Sequence, residues 1–202
     1  MQAVRTNPTA IILAAGASER MGVLDKLLLP LVGKPIVQYV VEIACEWADS
    51  VLVVTTPAPS NEGMLEVLED MPVEIVENVR HASGIGASIA AGVSAARLDV
   101  PGFMIMMGDM PHVSIRTIQT MMQRFAEDPS RIYVPVHEGQ MGHPVIFPKE
   151  FRYRLEQIEM SKGVQDLINE HALMVTQLPV NDPGVVSDID CPADYRGAIL
   201  GT

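Results

Sequence analysis

Near the start of the chain, an apolar run leads into Leu13-Ala14-Ala15-Gly16-Ala17-Ser18-Glu19-Arg20-Met21-Gly22, with Lys26 close behind. A glycine at such a turn lets the backbone offer N–H groups to an anion with no Cβ in the way. Arg20 and Lys26 add two cations within the same short excursion. A lone loop cation is usually solvated surface charge, but these two lie where an open α/β sheet binds ligands, at the carboxyl end of a strand. Phosphate binding is therefore the favoured reading for both. Lys34, at a loop-to-helix junction, stays open between the two readings.

Carboxylates supply the complementary chemistry. Gly108-Asp109-Met110-Pro111 follows another apolar run. Mg²⁺ takes one or two carboxylates and keeps its other positions for water and phosphate oxygens. Asp109 reads either as such a ligand or as a cap for the turn or helix that opens at Pro111. Farther on, Ser187-Asp188-Ile189-Asp190-Cys191-Pro192-Ala193-Asp194 sets two aspartates at i and i+2. In an extended segment they share one face and both could approach one metal. Alternatively, Asp190 caps a helix beginning at Pro192, with Asp194 as favourable first-turn charge.

Two common phosphate motifs are excluded. Gly33-Lys34 is followed by Pro35 and lacks the earlier glycine of a Walker loop, and Gly84-Ile85-Gly86 has Ile89 where the dinucleotide fingerprint needs its third glycine. No Ser-His-Asp or Cys-His arrangement stands out.

The elements that must position these residues follow from the hydrophobic pattern. Strand-length runs at Thr9–Leu13, Val51–Val54, Val73–Val76, Phe103–Met107, Ile132–Val136, Pro144–Phe147 and Leu173–Leu178 alternate with helical segments. The helices are expected after Pro35, after Asn61 as an N-cap, and over Ala87–Arg97, Ile115–Phe125, Phe151–Ile158 and Val164–Glu170. This βαβ rhythm predicts a largely parallel sheet with helices on both faces. Met104, Met106, Met107, Met121 and Met122 read as core filling.

At 202 residues and 48% hydrophobic composition, the chain suits one domain, residues 1–202, with a full core. A net charge of −11 argues against nonspecific binding to nucleic acid or anionic membrane, and requires local positive charge if the substrate is a polyanion. No apolar run approaches the roughly 20 residues of a membrane helix. The first eight residues lack the apolar core of a signal peptide. Cys45 and Cys191, with no metal-ligand spacing, read as reduced thiols, so the cytoplasm is expected.

Taken together, Leu13-Ala14-Ala15-Gly16-x-Ser18-x-Arg20-Met21-Gly22-x₃-Lys26-x-Leu28-Leu29-Pro30-x₂-Gly33-x-Pro35 closely resembles the signature of the molybdenum cofactor nucleotidyltransferases, the MobA-like NTP transferases. Asp188 to Asp194 resembles the family's Asp-x-Asp-Thr-Pro-x-Asp ending, with Cys191 in place of Thr. The resemblance runs from Ile11 to Asp194. It implies an α/β fold, a Rossmann-like three-layer sandwich of the nucleotide-diphospho-sugar transferase type with a mostly parallel sheet. It also implies that Leu13, Ala14, Ala15, Gly16, Arg20 and Lys26 hold the nucleotide, that Mg²⁺ is the cofactor on Asp109 and Asp190, and that Arg20, Lys26 and Asp109 are catalytic. Gly84 and Ser88 would contact base and ribose, and Gly142-His143-Pro144 would place His143, with Asp188, near the acceptor.

The implied reaction is attack by an acceptor phosphate on the NTP α-phosphorus with release of pyrophosphate. The implied acceptor is molybdopterin or its metal-loaded form, and a molybdoenzyme is the expected recipient. Leu-Ala-Ala-Gly, where guanylyl-transferring relatives carry Leu-Ala-Gly-Gly, points to CTP as donor. The alternatives are another phosphorylated acceptor, GTP as donor, or a non-catalytic chaperone that carries the cofactor.

Overall fold

The computed structural model describes residues 7–16 and 25–200. Strand β1, Thr9–Leu13, is buried along its whole length. Its side chains alternate across the sheet: Ala10 and Ile12 join one core, Ile11 and Leu13 the other. The remaining elements run β2 (Pro30–Leu31), β3 (Lys34–Pro35), α1 (Ile36–Trp47), β4 (Ser50–Thr55), α2 (Glu62–Leu68), β5 (Glu74–Glu77), α3 (Ile85–Ala95) and β6 (Gly102–Met107). They continue through α4 (Ile115–Glu127), β7 (Ile132–His137), β8 (Gln140–Met141), β9 (Val145–Pro148), α5 (Arg152–Glu156), α6 (Val164–Glu170), β10 (Val175–Pro179) and α7 (Pro192–Leu200).

The main sheet has the order β10-β7-β9-β6-β1-β4-β5, with β8 beside β7. Pairing is parallel between β1 and β4, β1 and β6, β4 and β5, and β7 and β10. Strand β9 runs antiparallel to both β6 and β7. Its direction follows from its connection: residues 138–144 are too few for the crossover helix that a parallel return requires. β2 and β3 form a separate antiparallel pair.

One face of the sheet is covered by α1 and α4, through Ile36, Val37, Val40, Val41, Ile118, Met121 and Phe125. The other is covered by α3, α5 and α6, through Ile89, Val93, Leu155, Val164 and Ile168. This is an α/β three-layer arrangement on a mostly parallel sheet, as the alternation of elements predicts. Among the described residues, no helix is long and apolar enough to cross a membrane.

One local expectation is corrected: Asn61 makes no capping bond to α2; its amide donates to Thr55 Oγ1 and Glu77 Oε1, joining the ends of β4 and β5. The helix expected near Phe151–Ile158 is present as the shorter α5, preceded by a 3₁₀ turn, Lys149–Phe151.

Candidate active site

The carboxyl ends of β1 and β6 face a cleft of about 490 Å³. Leu13, Ala15 and Gly16 line one side of it, Lys26, Asp109 and Asp190 another, and Gly84, Ile85 and Ser88 a third. Adjacent pairing places the two strand ends together: the Gly108 N–H donates to the Leu13 carbonyl at 3.1 Å, next to Asp109. Lys26 opens a 3₁₀ turn, Lys26–Leu28, capped by the Asp25 side chain. Its ammonium donates to Asp109 Oδ2 at 2.7 Å and to Asp190 Oδ1. Burial works to lower the Lys26 pKa, but the hydrogen bonds and charges of Asp109 and Asp190 outweigh it and hold the pKa above the ordinary lysine value.

Asp109, Asp188 and Asp190 each offer an oxygen, all within 4.8 Å of one another. Asp109 is 7% exposed, and its Oδ1 is buried with no hydrogen-bond partner among the described residues. An anionic oxygen left so, beside two more carboxylates, fits a divalent cation. The Asp188 carboxyl is pushed above its usual range by burial, then by the charges of Asp190 and Asp109.

A turn does open at Pro111, but among the described residues Asp109 caps nothing there: its Oδ2 is on Lys26 and its Oδ1 has no partner. Helix α4 starts at Ile115, where Ser114 accepts the Arg116 N–H. At the start of α7 the Asp194 carboxylate takes the N–H groups of Asp190 and Cys191, and Asp190 Oδ1 accepts from Lys26. Asp188, expected near the acceptor and able to approach a metal, has its carboxylate beside those of Asp109 and Asp190, as i and i+2 share a face of the extended segment.

With this geometry in place, likeness to known proteins decides the family. Residues 10–175 match the family model described as the MobA-like NTP transferase domain. The chain belongs to that family. A probable molybdenum cofactor guanylyltransferase of Natranaerobius thermophilus is 30% identical to this MobA-like chain over 75% of its length and 71% of the relative's. One of the same description from Methanosarcina acetivorans is 30% identical over 64% of the chain, and the match spans only 61% of that relative. Rv0371c from Mycobacterium tuberculosis H37Rv superposes with a TM-score of 0.81 at 26% identity, covering 97% of this chain and all of that one.

The expected nucleotide residues of the MobA-like chain divide by the pleat of β1. Leu13, Ala15 and Gly16 reach the cleft, whereas the Ala14 side chain lies in the opposite core and its N–H is spent on the Val54 carbonyl. Arg20 lies outside the described residues. Gly84 has φ +119, and a Cβ there would stand 2.5 Å from the Met160 carbonyl oxygen. Backbone conformation and close approach thus both demand the glycine. Ser88 is held by Asn78, whose amide donates to its Oγ at 3.0 Å.

His143 borders a second cavity of about 130 Å³, which shares Leu13 and Ile85 with the cleft. Its Nδ1 is buried without a partner among the described residues. Burial lowers the His143 pKa, against the opposing pull of the Ile105 carbonyl and the charge of Asp109.

Reading the sequence missed several residues around the cleft. His81 and Ala82 line it from the turn before α3, and Met107, taken only as core filling, lines it from the end of β6. Asn78 escaped notice too; its one signal is a polar residue directly after the short strand β5.

Proposed function

We propose that this chain transfers a nucleoside monophosphate from an NTP to the terminal phosphate of a molybdopterin-type acceptor. An acceptor phosphate oxygen bonds to the α-phosphorus, the bond from the α-phosphorus to the bridging oxygen breaks, and pyrophosphate leaves. The observation that carries this reading is the meeting of Lys26, Asp109, Asp188 and Asp190 beside a cleft lined by Leu13, Ala15 and Gly16. Such in-line transfer needs positioning and charge neutralisation more than a side-chain nucleophile. Asp109, Asp188 and Asp190 would hold a divalent cation, Mg²⁺ in our reading, that neutralises phosphate charge when bound. Lys26, and Arg20 from the same loop, would bind the triphosphate. His143, in the cavity that shares Leu13 and Ile85 with the cleft, would meet the acceptor.

We assign CTP as the donor. Ala15 carries this assignment: its methyl, 4% exposed, stands at the cleft wall where a glycine would give a purine more room. GTP is the second reading, favoured by the guanylyltransferase names of the two relatives. We further read residues 1–202 as one such domain acting in the cytoplasm, with a molybdoenzyme receiving the product. Pyrophosphate release with purified molybdopterin and CTP or GTP tests the proposal. Release with CTP in preference to GTP supports it, GTP preference moves the donor to the second reading, and no release with either overturns the transferase assignment.

A further inference from the structure

The strap from residue 182 to residue 190, between β10 and α7, brings two of the three clustered carboxylates to the cleft. Asp182, at its far end, is 6% exposed and bound on both oxygens. Oδ2 accepts the Ser114 N–H at 2.9 Å and the Thr117 hydroxyl at 2.6 Å, and Oδ1 accepts the Gly184 N–H at 3.0 Å. One carboxylate thereby pins the start of the strap to the first turn of α4, where the helix dipole favours negative charge.

From that anchor the strap makes two backbone bonds to the site. The Val185 carbonyl accepts the His143 N–H at 2.8 Å, and the Ile189 N–H donates to the Asp109 carbonyl at 3.0 Å. Asp188 and Asp190 flank Ile189, so this last bond sets both against Asp109 in a fixed register. Packing permits little slack: a Cβ on Gly184 would lie 2.1 Å from the His112 carbonyl oxygen, and Val185 and Ile189 are buried.

We propose that Asp182 is a positioning residue for the cation ligands, acting through the strap. This rests on the reading of Asp109, Asp188 and Asp190 as those ligands. Without the Asp182 carboxylate, the Ser114 and Gly184 N–H groups lose their partner and the strap loses its fixed origin. The three carboxylate oxygens then spread beyond their present 4.8 Å grouping.

Mn²⁺ titrations of the full chain, with amide hydrogen exchange at His143 and Ile189, decide the matter for Asp182→Ala and Thr117→Val. Asp182→Ala should weaken Mn²⁺ binding by about tenfold or more, with protection at His143 and Ile189 falling well beyond that of the central strands. Thr117→Val removes one of the three bonds and should do the same on a smaller scale, about two- to threefold. Mn²⁺ affinity equal to the parent's, with no selective loss of protection, overturns the proposal even if the melting temperature falls. If Asp182→Ala does not fold, the same two readings on Thr117→Val settle it. A parent chain that binds no Mn²⁺ overturns the ligand reading instead. Exchange at His143 and Ile189 then still shows whether Asp182 anchors the strap.

Discussion

The loop after β1 and the strap that ends at Asp190 meet at the ion pair of Lys26 with Asp190, yet they are positioned by different means. On the loop side, place follows from the local chain: the pleat of β1 sends Leu13 and Ala15 towards the cleft and Ala14 into the other core. On the strap side, place follows from partners far away in sequence. Asp182 is held by Ser114 and Thr117, 68 and 65 positions earlier, and Asp190 by Lys26, 164 positions earlier. Residue types can therefore be read off either region, but geometry only off the first.

Asp109, where the two regions join, should show the largest effect. Asp109→Asn is expected to slow pyrophosphate release on the order of a hundredfold, with the far-ultraviolet circular dichroism of the parent. Activity within a few-fold of the parent would mean that the cluster has no part in turnover.

Next comes the strap itself. Gly184→Ala forces a backbone shift at His112 and should cost about 1–3 kcal/mol in thermal or urea unfolding. It should weaken Mn²⁺ binding while the KM for nucleotide holds. A rise in nucleotide KM with Mn²⁺ affinity intact would erase the division between the regions.

A change on the loop should have the opposite profile. Lys26→Ala is expected to raise the NTP KM and lower kcat, together by about tenfold, the size of one charge-assisted hydrogen bond. The ratio of CTP to GTP use should not move; if it does, Lys26 reads the base rather than the phosphates.

Ala15→Gly should give the smallest effect. It removes one methyl, worth at most about 1–3 kcal/mol of discrimination, and should narrow a CTP preference without reversing it, as kcat/KM for both nucleotides would show. A parent that prefers GTP defeats the cytosine assignment and leaves the rest standing.

Strand β1 and helix α6 lie where hydrophobic periodicity places them, and the layer order follows from alternating elements. What stayed hidden depended on long-range partners or on loop length. The direction of β9 is set by the short connection before it, and Asn61 is drawn from its cap position by Thr55 and Glu77. The same holds at the site. Asp109 and Asp190 are marked by type and spacing, and the Asp194 side chain takes the N–H groups of Asp190 and Cys191 just before α7. Asp182 carries no such mark, because an Asp-Pro pair in a loop reads as an ordinary turn until Thr117 is seen beside it.

The ion pair between Lys26 and Asp190 also orders events during synthesis. A chain made from its amino end acquires Lys26 early and Asp109 midway, and Asp190 follows 81 residues after Asp109. At ribosomal speeds of about 5–20 residues per second, that interval is roughly 4–16 s. Throughout it, β1, β4, β5 and β6 are all available to form the parallel centre of the sheet. A nascent chain can thus own the cleft's walls well before it owns the carboxylate cluster. The Tyr195 hydroxyl, on the Pro30 carbonyl at 2.6 Å, then fastens α7 to the β2–β3 pair that follows Lys26. Any cation that the cluster holds can therefore bind only after the strap has reached a sheet already able to assemble.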